Sequence, residues 1–267
     1  MSAQIGFIGI GSQGGPMAMR IAAAGMPLTV WARRADALEP FVAKGATAAA
    51  SVAQLGAACD HVGICVVTDA DVFAICDALI PAMKPGSRIA IHSTILPESC
   101  IALAARCAER GILFIDAPVS GGSPAADAGT LTVMCGASAQ AFAAARPVFE
   151  TFGQLIVLLG EPGCGQRAKI VNNSLLAANM GLAHAALGAG EAMGVDRSAL
   201  AEIIKHSSGR SMGFEIYARL SSPKAFEIGA PLLVKDVGLL KTVLPDDAGA
   251  EVLRAAAADF LDAAMHK

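Results

Sequence analysis

"IGFIGIGSQGGPMA", residues 5–18, sets an apolar run of strand length against a glycine-rich turn, and a helical segment follows. Gly9, Gly11 and Gly14 stand in the spacing G-x-G-x-x-G. After a strand and before a helix, each glycine meets a separate physical demand. The first permits a tight turn, the second lets a pyrophosphate approach the backbone, and the third lets the helix pack closely on the strand. The helix N-terminus then offers its unpaired N–H groups to the phosphates. The loop Gly9, Ile10, Gly11, Ser12, Gln13 and Gly14 is therefore expected to hold a dinucleotide, a merely glycine-rich turn being the alternative.

Working outward, short β-rich runs alternate with Ala-rich helical segments up to about residue 160: "IGFIGI", 14–25, "PLTVWA", 35–44, "HVGICVV", 71–79, "RIAIHS", 98–110 and "ILFIDA". This is the βαβ rhythm of a doubly wound parallel sheet, and the nearly unbroken Ile, Val, Leu and Phe runs predict helices on both sheet faces. "GTLTVMCG", a helix near 138–150, and "QLIVLLG" should extend the same sheet. Beyond "GEPGCG", residues 160–165, the strand signal stops. The fold class expected is α/β: a Rossmann domain over residues 1–162, then a smaller all-helical domain over 163–267 for the substrate side and dimerisation.

At 267 residues, 54% hydrophobic and 16% charged, the chain is globular. Its net charge of −3 and singly scattered basic residues argue against nucleic acid or an anionic membrane and favour a small-molecule partner. Seven cysteines without a C-x-x-C pair read as reduced core residues, which fits a cytoplasmic protein, and no metal site is expected. The N-terminus has no basic flank, so no secretory signal is expected. The uncharged stretch Ile170 to Gly190 approaches membrane-span length but contains Asn172, Asn173, Asn179 and His184. It reads instead as a helix buried between domains or subunits, where Gly181, Ala185 and Gly188 would allow close approach, and a homodimer or homotetramer is expected.

Three further features carry chemistry. The second strand ends at Ala32 without the acid that bonds an NAD ribose, and Arg33 and Arg34 follow. Two guanidiniums suit the 2′-phosphate of NADP, although NAD stays usable if one is solvated and the other stacks on adenine. Ser120, Gly121 and Gly122, beyond a strand's carboxyl end, offer a hydroxyl and open N–H groups to a small carboxylate, or form only a turn. Lys169, Asn172 and Asn173 share one helix face at i, i+3 and i+4, where a desolvated lysine suits general acid/base work and a snorkelling one would be idle. His92, a lone histidine, reads as a packed or hydrogen-bonded strand-end residue.

"GFIGIGSQGGPMA", "HSTILPE", "DAPVSGG" followed by "GTLTVMCG", "GCGQRAKIVNN", "SSGRSM" and "KDVGLL", in this order along nearly the whole chain, resemble the β-hydroxyacid dehydrogenases of the 6-phosphogluconate dehydrogenase-like fold, closest to 3-hydroxyisobutyrate dehydrogenase. The resemblance implies an active site in the cleft between the two domains. It puts the catalytic lysine on Lys169, the substrate cradle on Ser120, Gly121 and Gly122, and a substrate amide on Asn173. It also implies cofactor contacts from Val66, Val67, Thr94 and, near the nicotinamide, Lys235. The activity implied is hydride transfer between NAD(P) and a small β-hydroxy acid. An imine reductase on the same fold and a non-catalytic cofactor-binding protein are the rival readings; retention of Lys169 weighs against the first, and the cradle, lysine and Lys-Asp pair together against the second. Met212 stands where relatives carry a tryptophan, which leaves the preferred acyl group open.

Overall fold

The computed structural model describes residues 3–265. Its elements are β1 (Ile5–Ile8), α1 (Gly14–Ala23), β2 (Leu28–Trp31), α2 (Glu39–Val42), β3 (Thr47–Ala48), α3 (Val52–Ala58), β4 (His61–Ile64), α4 (Asp69–Ala82), β5 (Arg88–Ile91), α5 (Pro97–Ala108), β6 (Leu113–Asp116), β7 (Val119–Ser120), α6 (Gly122–Ala128), β8 (Leu131–Gly136), α7 (Ala139–Phe149) and β9 (Gly153–Gly160). There follow α8 (Cys164–Ala192), α9 (Arg197–Lys205), α10 (Met212–Ala218), α11 (Ala230–Val243) and α12 (Ala248–Met265). The chain packs as two compact units, residues 1–169 and 170–267, so the division falls inside α8.

The first unit is built on one sheet in the order β3-β2-β1-β4-β5-β6-β8-β7, with β9 paired to β8. Successive side chains of a strand point to opposite faces. Accordingly Phe7 packs with Met17 and Ile21 in one core layer, and Ile8 packs with Leu55 and Leu79 in the other. The sheet reverses at its far end, where β8 runs antiparallel to β6 and β7 and β9 lies parallel to β8. The crossover rhythm had indicated parallel strands throughout. β6 and β7 run the same way past Pro118, and the chain turns back between Ser120 and Leu131, where Gly121, Gly122 and Gly129 take positive φ at the two ends of the short helix α6, so β8 returns antiparallel.

Most expected helices form, with shifted ends. Residues 35–44 split into a 3-10 turn, Ala35–Leu38, and α2, whose break comes where Pro40 enters at the start of a helical turn. The expected helix over 71–79 starts earlier, at Asp69, because Thr68 and Asp71 form a capping box. The second unit is helical, with a core around Met180, Leu187, Tyr217 and Phe260. No described helix is long and apolar enough to cross a membrane.

Candidate active site

Each glycine of the first loop has its own steric reason. Gly9 adopts φ +91°, and a Cβ there would lie 2.1 Å from the Cys65 carbonyl oxygen. A Cβ on Gly14 would lie 2.0 Å from the Gly9 carbonyl oxygen, so the start of α1 packs directly on the loop. A Cβ on Gly11, by contrast, would meet nothing within 4 Å among the described residues. The fold itself does not require glycine at position 11; a ligand pressed against the backbone would. Gln13 Nε2 is buried with no hydrogen-bond partner among the described residues, a donor left over for such a ligand. These residues fit a dinucleotide pyrophosphate.

Beside the loop lies a cavity of about 620 Å³ lined by Gly9, Gly11, Trp31, Arg33, Arg34 and Asp71. Both arginines are largely exposed. Arg33 Nη1 is 3.7 Å from Asp71 Oδ1, and Arg34 Nε is 4.0 Å from Asp36 Oδ1. Pairs this exposed hold their side chains weakly, so both guanidiniums can turn to an anion. Asp71 escaped sequence reasoning because it comes from α4, far along the chain from Arg33. The "TDAD" capping signature at 68–71 placed a helix start at this sheet edge and could have pointed to it. Val66 joins the same wall, and its N–H donates to Ser93 Oγ at 2.8 Å. Val67 is exposed and Thr94 half-buried in the loops that follow β4 and β5.

The second glycine cluster closes off β7. Gly121 and Gly122 take φ +131° and +69°, in the left-handed half of backbone space that favours glycine. Ser120 ends β7, two residues before α6, and is half-buried. Ser123 Oγ donates to the Ser12 carbonyl at 2.5 Å, tying this cluster to the phosphate loop although 111 residues separate them. The structure thus sets the two glycine clusters side by side.

Lys169 lies in the second turn of α8 and is buried, with 8% of its surface exposed. The first turn is fastened to the sheet by two side chains that the sequence reading left without roles. Asp116, fully buried at the end of β6, accepts from Gly163 N–H on Oδ1 at 2.7 Å and from Gln166 N–H on Oδ2 at 2.8 Å. Gln166 Nε2 donates to the Ser93 carbonyl at 2.8 Å, and its Oε1 accepts from Ile95 N–H at 3.1 Å. Burial pushes the Asp116 carboxyl up to about 6, although the N–H groups of Gly163, Gln166 and Gly165 pull it back.

In the second unit, Asn173 Nδ2 donates to Asp236 Oδ2 at 2.6 Å, and Lys235 Nζ lies 3.1 Å from Asp236 Oδ1. Asn172 Nδ2 donates to Asn173 Oδ1 at 3.1 Å. The amide that sequence reasoning assigned to substrate is therefore partly committed to a buried carboxylate. Met212 opens α10 and is exposed.

His92 belongs to the core. Its ring stacks on Phe7 at 5.9 Å and meets Phe149 and Phe152 edge-on at 5.6 and 5.5 Å. Nδ1–H donates to the Ala117 carbonyl at 2.8 Å, which leaves Nε2 as the unprotonated nitrogen. All seven cysteines are free, and no group of three or more metal-ligating side chains occurs among the described residues.

Residues 4–160 match the family described as the NAD-binding domain of 6-phosphogluconate dehydrogenase. Residues 163–267 match the family described as NAD-binding of NADP-dependent 3-hydroxyisobutyrate dehydrogenase. The NAD-dependent L-serine dehydrogenase of Pseudomonas aeruginosa is 38% identical over 248 residues, covering 88% of this chain and 83% of the relative. A solved structure of Mycobacterium tuberculosis 3-hydroxyisobutyrate dehydrogenase with L-serine superposes with a TM-score of 0.88 at 27% identity, covering 98% of this chain and 94% of that one. A second, described as Psf3 in complex with NADP+ and 2-OPP, gives a TM-score of 0.83 at 27% identity, covering 96% and 92%.

Proposed function

The chain belongs to the β-hydroxyacid dehydrogenase family of NAD(P)-dependent oxidoreductases, 3-hydroxyisobutyrate dehydrogenase type, and from that premise we propose that it interconverts a small β-hydroxy acid and its semialdehyde or oxo acid, with NADP preferred and Lys169 as the general acid/base. The observation that carries this reading is a buried lysine on a turn fastened to the sheet, in the same unit as two adjacent glycine cradles.

When bound, the nicotinamide cofactor accepts or returns the hydride. The chain's own residues do the rest. The loop from Gly9 to Gly14 and the first turn of α1 hold the pyrophosphate. Arg33 and Arg34 bind the 2′-phosphate through charge-assisted bonds, and a 2′-phosphate must draw Arg33 away from Asp71. Val66, Val67 and Thr94 line the remainder of the cofactor site, and Lys235 serves its nicotinamide end. The Ser120 hydroxyl and the N–H groups of Gly121 and Gly122 take the substrate carboxylate. In oxidation, neutral Lys169 takes the hydroxyl proton on Nζ as the C–H hydride departs and the carbonyl forms; in reduction, its ammonium returns that proton. Asn173, with one N–H held by Asp236, orients the hydroxyl.

The decisive experiment is a panel at 340 nm with NADP and NAD against 3-hydroxyisobutyrate, L-serine, D-glycerate, 3-hydroxypropionate and L-threonate, repeated with Lys169→Ala. Turnover of at least one substrate, higher kcat/KM with NADP, and a fall of about 10²- to 10⁴-fold in kcat for the variant are expected. Activity of Lys169→Ala within about tenfold of the parent removes the lysine from the chemistry. Two side products of the same panel matter: a kcat/KM ratio in favour of NAD overturns the cofactor preference, and silence throughout overturns the substrate class.

A further inference from the structure

We propose that Asp116 is a positioning residue for Lys169: its carboxylate locks the first turn of α8 and so fixes where the lysine stands relative to the Ser120–Gly122 cradle. This inference rests on the assignment of Lys169 above, and every group in it lies within residues 1–169.

The bonding pattern calls for a carboxylate. Oδ1 and Oδ2 take N–H groups three residues apart, from Gly163 and Gln166, so both atoms must accept. An asparagine of the same shape would turn an N–H donor toward one of those donors. The space around it is equally exacting. A Cβ on Gly136 would lie 2.4 Å from Asp116 Oδ1, and one on Gly165 would lie 2.8 Å from Oδ2 and 2.3 Å from the Met134 carbonyl oxygen. Two glycines thus leave room for this side chain and no slack for it to shift.

Stability alone is a poor reason for the arrangement. A buried carboxylate is costly, and a helix start is capped adequately by a serine or asparagine nearer the surface. Placement supplies the better reason. Asp116 ends β6, and the cradle begins four residues later at Ser120, so one short segment carries both the substrate cradle and the acid that holds the lysine helix. On the helix side, Lys169 follows Gln166 by less than one turn, and Gln166 is itself fastened to Ser93 and Ile95. The position of Lys169 relative to the cradle is therefore set through few intervening bonds, nearly all of them buried.

The test compares Asp116→Asn with the parent chain, Lys169→Ala, and the double variant, using 3-hydroxyisobutyrate or whichever substrate of the panel is turned over fastest. Leu79→Ala, a core truncation, serves as control for lost stability. Asp116→Asn is expected to lower kcat by about 100-fold, in line with a misplacement near 1 Å, with cofactor KM within about twofold. In the Lys169→Ala background the same change should alter residual turnover by less than about twofold, because the two act as a unit. In cofactor-free protein, acetylation of Lys169 by acetic anhydride, followed by peptide mass spectrometry against Lys84 as reference, should quicken by about threefold or more as the turn loosens. An undiminished kcat, a full loss persisting without Lys169, unchanged acetylation, or an equal kcat loss in Leu79→Ala overturns the inference. If Lys169→Ala alone keeps its turnover, the lysine assignment fails first, and that result is distinct from all of these. Should Asp116→Asn not fold, Asp116→Ser, which keeps an acceptor and admits water, is read by the same measurements.

Discussion

Asp116 and His92 stand at the carboxyl ends of neighbouring strands and answer acid in opposite senses. Burial holds the His92 imidazole down at about 4, and His61, with its Nδ1 facing Arg88, is lowered in the same direction. An unfolded histidine takes a proton near pH 6.5 and the buried one does not, so stability is complete above pH 6.5 and is lost as pH falls toward 4. The loss is about 1.4 kcal/mol per pH unit for His92 across that window. Asp116 works the other way. Its raised carboxyl takes a proton in the folded chain before the unfolded one does, so acidification from about 6 toward 4 adds stability. Unfolding midpoints by circular dichroism at pH 7, 6 and 5 separate the two: Asp116→Asn should fall more steeply toward acid than the parent, and His92→Leu less steeply. Parallel curves for all three proteins would contradict both assignments. Asp116 was on the page as a letter in "DAPVSGG", yet its role was not legible, because nothing local to an acid after "LFI" shows that a helix start 47 residues away meets it.

At the scale of the element, α8 sets two glycines in contrasting surroundings. A glycine inside a helix costs about 1 kcal/mol relative to alanine, so each needs a reason or is a fault. Gly181 has one: a Cβ there would lie 1.8 Å from the Ala256 carbonyl oxygen on α12, backbone against backbone. The sequence reading anticipated close approach between domains or subunits at Gly181, Ala185 and Gly188, and among the described residues nothing lies within 4 Å of a Cβ on Gly188. Gly181→Ala should therefore lower the unfolding midpoint by about 5 °C or more, overpacking outweighing helix propensity, whereas Gly188→Ala should leave it level or raise it. Equal effects in scanning calorimetry would refute that contrast. Short elements were the hardest to read. β3 is two exposed residues and β7 two more, a buried Val119 and a half-buried Ser120; neither has an apolar run to announce it, and α3 carries only Val52 and Leu55 as large core side chains.

For the molecule as a whole, the alternation of apolar runs with helical segments made the doubly wound, mainly parallel sheet legible, since crossover connections allow few arrangements. The reversal at β8 was not, because "GTLTVMCG" reads the same whichever way its neighbour runs. The glycine clusters at Gly9–Gly14 and Ser120–Gly122 stand out in the sequence as local patterns, whereas Asp71, Gln166 and Asp236 work through partners distant in sequence. One whole-molecule expectation goes beyond the single chain. Val171, Leu175 and Leu182, spaced by one and two helical turns on α8, are 50%, 49% and 58% exposed. An apolar stripe of this kind fits a symmetric homo-oligomer better than solvent. Light scattering at micromolar concentration should give at least twice the 27.0 kDa chain mass; a monomeric mass would remove the idea.

The bond from Ser123 Oγ to the Ser12 carbonyl has a thermodynamic corollary. On the proposed assignment of the nucleotide to Gly9–Gly14 and of the acid to Ser120–Gly122, this bond offers a physical link through which the two binding steps would be coupled. Coupling between binding free energies is reciprocal by linkage: whatever factor the nucleotide contributes to the affinity for the acid, the acid returns to the nucleotide. Dissociation constants for each ligand, taken with and without the other, would read that coupling from both sides.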